Sequence, residues 1–164
     1  MRDLTIRPAR PDDLESLARR LGQRRYFADR LGRQSREQGV LLTAWQFGLV
    51  VGVVYLWLEP AEEPEIRLHL PGVPLITHVE VHRQHRGEGI GTRLIDEAEN
   101  VLAREGFREA ALAVELTNHD AEDWYGRMGY RRWRHGTVKC YSVGDGNGRR
   151  RVEICIVMSR LLAA

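Results

Sequence analysis

The chain has only two cysteines in 164 residues, Cys140 and Cys155. Two thiols cannot build the disulfide framework of a small secreted domain. No second cysteine lies close to either in sequence, so they do not suggest a metal site. They read as reduced packing thiols, and a strong two-residue turn signal at Asn147-Gly148 places them opposite each other across a hairpin. No apolar run reaches membrane-spanning length. The start, Met1-Arg2-Asp3-Leu4, lacks the apolar stretch of a signal peptide. A cytoplasmic protein without a membrane partner is therefore expected. Charge of one sign is also lacking. The net charge is +2, and a pI of about 8.7 does not by itself imply nucleic acid. There is no internal repeat and no Pro/Gly-rich linker. What is present is enough apolar material, 43% of residues, for one well-buried domain over 1–164.

The most informative stretch is Arg86-Gly87-Glu88-Gly89-Ile90-Gly91. Before it stands Leu75-Ile76-Thr77-His78-Val79-Glu80-Val81, rich in β-branched residues and read as a strand. After it, Leu94, Ile95, Ala98, Val101 and Leu102 draw one stripe down a helix. The glycines thus sit where a strand hands over to a helix. Glycine permits positive φ and close approach of a ligand to the backbone. A helix N-terminus adds free N–H groups and a positive dipole end. The combination suits an anion, most often a phosphate. A Walker loop is excluded, since no Lys-Ser or Lys-Thr follows the last glycine. A dinucleotide turn would space its glycines further apart and open a strand–helix–strand unit.

The segment Val79–Gly91 instead resembles the acetyl-CoA loop of the GNAT superfamily of N-acetyltransferases. That pattern is Arg or Gln, two residues, Gly, one residue, then Gly or Ala, and Arg86, Gly89 and Gly91 fill it. A second stretch, Asn118 to Tyr130, resembles the family's later signature. Asn118 precedes a short helix, Ala121 lies three residues on, Tyr125 seven on, and Gly129-Tyr130 closes it. Asn118 is a good N-cap, and Gly129 is placed just past the helix end. The resemblance spans roughly residues 4 to 160.

The remaining pattern predicts strands at Thr5–Arg7, Val40–Phe47, Leu49–Leu58, Glu109–Glu115, Arg131–Val143 and Val152–Arg160. Helices are predicted at Pro11–Leu21, Arg24–Glu37 (ended by Gly39) and Thr92–Arg104 (ended by Gly106). Glu59–Gly72 reads as a polar loop with three prolines. This order is the one the GNAT fold has. It implies an α/β (α+β) chain with a mixed, mostly antiparallel central sheet. One parallel strand pair, joined by a right-handed crossover, splays apart between flanking helices.

The resemblance also implies roles. Acetyl-CoA would be the co-substrate, with no metal. The backbone of Val79 and Val81 would hold the pantetheine amides. The N–H groups of Arg86, Gly87, Gly89, Ile90, Gly91 and Thr92 would hold the pyrophosphate. Asn118 would orient the cofactor arm or the tyrosine. Tyr125 occupies the place of the acid that protonates the departing thiolate. For the base, period-two alternation puts His78, Glu80 and His82 on one face, if no bulge intervenes. Glu80 is the first candidate, His78 the second and Glu115 a further one. Several family members carry their carboxylate where Leu75 and Thr77 stand here.

The acceptor would be a primary amine of a small molecule or peptide, on a monomer or homodimer. The acidic residues Glu59, Glu62, Glu63 and Glu65 either flank the acceptor site and attract a cation or form a solvated loop. Arg131-Arg132-Trp133-Arg134-His135 reads as a charged strand face or a neighbour of the cofactor's adenosine phosphate, ahead of a phosphate or nucleic-acid patch. Arg149-Arg150-Arg151 reads as a solvated turn. A non-catalytic acyl-CoA-binding sensor is the alternative of a different class. Nucleic-acid binding lacks a stacking platform and a motif.

Overall fold

Continuous apolar strands divide their side chains between two cores, because alternate residues point to opposite faces of a sheet. The chain shows this in its second and third strands. In β2 (Gly39–Gln46), Leu41 joins one core while Leu42 and Ala44 join the other. In β3 (Leu49–Trp57), Val53, Tyr55 and Trp57 lie on the first side, and Val51, Val54 and Leu56 on the second. The structure, a computed structural model, describes residues 3–143 and 150–163.

Among the described residues the sheet has eight strands. The others are β1 (Leu4–Pro8), β4 (Leu75–Val81), β5 (Glu109–Glu115), β6 (Arg131–Arg132), β7 (Val138–Val143) and β8 (Arg150–Leu161). Their order is β1-β2-β3-β4-β5-β8-β6, with β7 also paired to β8. Every pairing is antiparallel except β4 with β5. The α/β architecture with one parallel pair is as expected.

Helices α1 (Leu14–Leu21) and α2 (Arg24–Ser35) cover the first face through Leu17 and Phe27, both fully buried. The second face receives α4 (Ile90–Arg104), whose Leu94, Ile95, Ala98 and Leu102 have no exposure. Burying the larger of these side chains stabilises the fold by roughly 1.5–3 kcal/mol each. The short α5 (His119–Arg127) packs Trp124 and Tyr125 against the same core. No helix among the described residues is long and apolar enough to cross a membrane.

Several expectations change in detail. Pro11–Asp13 is a 3-10 turn before α1. The predicted polar loop contains a short helix, α3 (Pro64–His69), started by its proline. The predicted strand Arg131–Val143 is broken between β6 and β7, where Gly136 has φ +80°. Gly39 does not end a helix but opens β2, where a Cβ would collide with the Tyr55 hydroxyl. The turn expected at Asn147-Gly148 lies outside the described residues. The β7–β8 register sets Cys140 opposite Glu153 and Cys155 opposite Val138. The two cysteines are therefore diagonal neighbours rather than directly opposed. Both are free and buried.

Two irregularities shape β4. Its parallel ladder to β5 is a single register pair, Leu75 with Ala111, beside an Ala111 N–H bond to the Pro74 carbonyl. Beyond that point the strands part. On its other edge, Tyr55 pairs with Thr77 but Val53 pairs with Glu80. His78 and Val79 thus oppose the lone Val54, which is a β-bulge. His78 carries φ +53° to make it. A left-handed backbone at a histidine in a strand is strained, and such strain collects at functional sites.

Candidate functional site

The glycine loop ends in an open helix terminus. Gly89 is the N-cap of α4 with φ +83°, and it offers no side chain to the first-turn N–H groups. The first helical bond runs from Arg93 N–H to the Gly89 carbonyl. The N–H groups of Ile90, Gly91 and Thr92 therefore have no partner within the helix. No acidic residue stands in the first turn. Gly91 sits in a tight space, since a Cβ there would come 3.2 Å from the Trp124 ring. Arg86 Nε donates to the Val81 carbonyl at 3.2 Å and anchors the loop to the end of β4.

A cavity of about 470 Å³ opens over this terminus. Val79, Val81, Arg86, Gly87, Gly89, Ile90, Gly91, Thr92 and Asn118 all line it, together with His85, Ala121, Trp124 and Tyr125. The nine residues expected to contact the cofactor thus gather around one space. Asn118 caps α5, its Oδ1 accepting the Ala121 N–H at 3.1 Å.

A second cavity, of about 280 Å³, occupies the gap between the parted strands and runs under α2 and α3. Thr77 and His78 of β4 line it, with Leu112, Ala113 and Glu115 of β5. Tyr125 lines both cavities. Burial raises its phenol pKa to about 12, so it stays protonated through the neutral range.

His78 lies in the wall of the second cavity with its ring stacked on Tyr26 of α2, centroids 4.1 Å apart. Its Nε2 bonds Glu80 Oε1 at 2.9 Å. The same oxygen accepts Gln23 Nε2 at 2.9 Å. His78 and Glu80 meet through this hydrogen bond, but the bulge intervenes, so simple alternation does not describe the strand here. The bulge also turns Glu80 onto the face of Leu75 and Thr77, since it opposes Val53 of that core. His82 falls beyond β4 and caps a 3-10 turn by accepting the Gln84 N–H. Glu80 lines neither cavity, and His78 stands between it and the second one.

Burial alone would raise the Glu80 pKa. The bonds from His78 and Gln23 outweigh it and hold the carboxyl below the usual carboxylate range. This gives a pH prediction. The folded group titrates below the unfolded one, so its stabilisation is present above about pH 4.3 and lost as pH falls through the folded value. Glu80→Gln should cost about 1–2 kcal/mol near neutrality, the scale of a charged hydrogen bond. That deficit should shrink on acidification, as urea unfolding at several pH values would show. A deficit independent of pH would contradict an ionised, bonded Glu80.

Nothing in the sequence singles out Gln23 and Tyr26. They reach β4 from a helix more than 50 residues away, and no local pattern marks them. Gln23 does carry a left-handed backbone, φ +57°, as the N-cap of α2. Among the described residues, no group of three or more His, Cys, Asp or Glu is arranged to hold a metal ion.

Comparison with known proteins gives the same picture. The model of the acetyltransferase (GNAT) family matches residues 4–130. No curated protein gives a significant match. Among solved structures, the ribosomal-protein-S18-alanine N-acetyltransferase of Escherichia coli superposes with a TM-score of 0.70 at 17% identity, covering 98% of this chain and 95% of that one. The Naa20 of Chaetomium thermophilum, solved with a bisubstrate analogue, gives 0.68 at 26% identity over 96% and 86%. The PaiA N-acetyltransferase of Thermoplasma acidophilum, solved with coenzyme A, gives 0.67 at 16% over 96% and 98%. With a family match over most of its length and the splayed parallel pair in place, this chain belongs to the GNAT acetyltransferase family and is an acyltransferase.

Proposed function

We propose that the protein moves an acetyl group from acetyl-CoA to a primary amine of a small molecule or peptide, by direct attack of the amine. The observation that carries this is the position of Tyr125, in the wall of both cavities where β4 and β5 part. Acetyl-CoA supplies the acetyl group as a thioester. The open N–H groups at the start of α4 suit its pyrophosphate, with no acidic residue nearby in the first turn to oppose it. The edge of β4 that parts from β5 at Val79 and Val81, where Arg86 already occupies the Val81 carbonyl, suits its pantetheine amides, and the Asn118 amide suits the arm beside them.

Tyr125 donates a proton to the departing thiolate. The proton of the attacking amine goes to His78. Glu80 acts behind it as a positioning residue: with Nε2 donating to Glu80, Nδ1 is the ring nitrogen left to accept. This retains Glu80 in the proton path but hands the contact with substrate to His78, because Glu80 does not reach the cavity. Glu115 also lines that cavity and accepts from Thr117 at 3.3 Å, which ties it to the strand end.

The test is release of free thiol from acetyl-CoA across a panel of amines. Thiol release that depends on the amine is the expected result. Tight acetyl-CoA binding with no amine-dependent release would mark a sensor module instead. His78→Gln should lower kcat by roughly 10²-fold, within the range of general base catalysis, with little change in acetyl-CoA affinity. Glu80→Gln should lower it less. Equal effects of the two substitutions on kcat and on its pH dependence would contradict this division of roles.

A further inference from the structure

The second cavity is lined by more negative charge than a single amine requires. Glu62, Glu63, Glu115 and Glu153 all face it. Glu62 is paired with Arg150 at 2.7 Å. Arg30, the arginine in that wall, is itself engaged: it pairs with Asp29 and lies over the Tyr26, Tyr55 and Trp57 rings at 4.5, 5.0 and 5.5 Å. Glu63 differs. It is only 8% exposed and makes no ion pair among the described residues. Its neighbour is the Cys140 thiol, whose pKa is raised by its bond with Cys155, by burial and by Glu63 itself, so it brings no charge.

A buried carboxylate without a cation is costly, and a ligand that brings one recovers much of that cost. A second observation in the same wall agrees. The Tyr26 hydroxyl is part of a side chain only 5% exposed, and it has no well-formed hydrogen bond among the described residues, with the Arg30 guanidinium close by. A carboxylate and a hydroxyl both able to accept, in one cavity wall, form a receptacle for an organic cation. The reacting nitrogen must reach Tyr125 and arrive neutral, so it is not the group that neutralises Glu63.

We propose that the acceptor carries a second positive charge, an ammonium or guanidinium set back from the reacting amine and held by Glu63 and the Tyr26 hydroxyl. This rests on the reading of Tyr125 as the point of acetyl transfer. The same chemistry belongs to an aliphatic diamine and to a peptide end with a basic side chain. The cavity, at about 280 Å³, admits a slender chain of either kind.

Kinetics on the wild-type protein would compare butylamine with putrescine, and the tripeptide Ala-Ala-Ala with Ala-Lys-Ala. The cationic member of at least one pair should show kcat/KM at least about tenfold higher; which pair does so distinguishes the small amine from the peptide. Glu63→Gln should bring that ratio close to one, and Tyr26→Phe should lower it in part. A wild-type far-UV circular dichroism spectrum and thermal midpoint show that each variant is folded. Equal kcat/KM within both pairs overturns the inference while leaving the transferase reading intact, as does a preference that survives Glu63→Gln. If no amine is turned over, the transferase reading fails. Calorimetry of the four compounds on CoA-loaded protein still decides the inference, with equal affinities within both pairs overturning it.

Discussion

Tyr125→Phe should lower turnover by roughly 10²-fold while leaving acetyl-CoA affinity nearly unchanged, the scale expected when a general acid is removed. The substitution deletes one oxygen and keeps the ring, which packs against Trp124 and Tyr130 at centroid distances of 4.8 and 5.9 Å. Stability should therefore hold. The phenol is raised to about 12 by burial, so it is protonated and able to donate wherever the enzyme is assayed near neutrality. Because the proton is given only as the thiolate departs, kcat and kcat/KM should fall together. Steady-state kinetics at saturating acetyl-CoA would show it. Unchanged turnover would make Tyr125 a packing residue of the α5 face and leave the thiolate to be protonated by water.

Gly89→Asp should weaken acetyl-CoA binding by about 10²-fold or more. Two effects coincide at this position. The residue has φ +83°, which glycine adopts freely and an L residue adopts at a cost of roughly 1–2 kcal/mol. The new carboxylate also sits where the open N–H groups of Ile90, Gly91 and Thr92 face the pyrophosphate, and it can cap those groups itself. Gly89→Asn is the control for both, since asparagine tolerates the left-handed backbone and carries no charge. Calorimetry should find Gly89→Asn much closer to wild type. Both should keep the wild-type far-UV circular dichroism, because the position lies outside both cores. If Gly89→Asp binds acetyl-CoA like wild type, the pyrophosphate lies elsewhere.

The strands that frame the site are legible in the sequence because their composition leaves little choice. Leu75–Val81 and Glu109–Glu115 are short, β-branched or apolar, and bounded by polar turns, and both appear with the predicted ends. The loop between strand and helix is equally plain, since three glycines in six residues have few other uses. The bulge at His78 is not. A bulge adds one residue to one strand without changing which residues are apolar, so LITHVEV reads the same with it or without it. Its consequence is specific: it sends Glu80 back against Gln23 and leaves His78 at the cavity. Helix α3 is hidden for another reason. At six residues it is too short to show a period, and its one buried contact, Ile66, looks like a stray apolar residue in an acidic loop. The diagonal placement of Cys140 and Cys155 depends on register, which side-chain pattern constrains only to within steps of two.

A crystal structure with coenzyme A bound tests the central geometry most directly. The pyrophosphate should rest on the N–H groups at the start of α4, the pantetheine should run along Val79 and Val81 through the gap that opens beyond Leu75 and Ala111, and the sulfur should lie within hydrogen-bond reach of the Tyr125 hydroxyl with His78 across the second cavity. A sulfur outside that gap, or a Tyr125 hydroxyl turned away from it, would contradict the proposal that the two cavities meet at this residue to transfer an acetyl group.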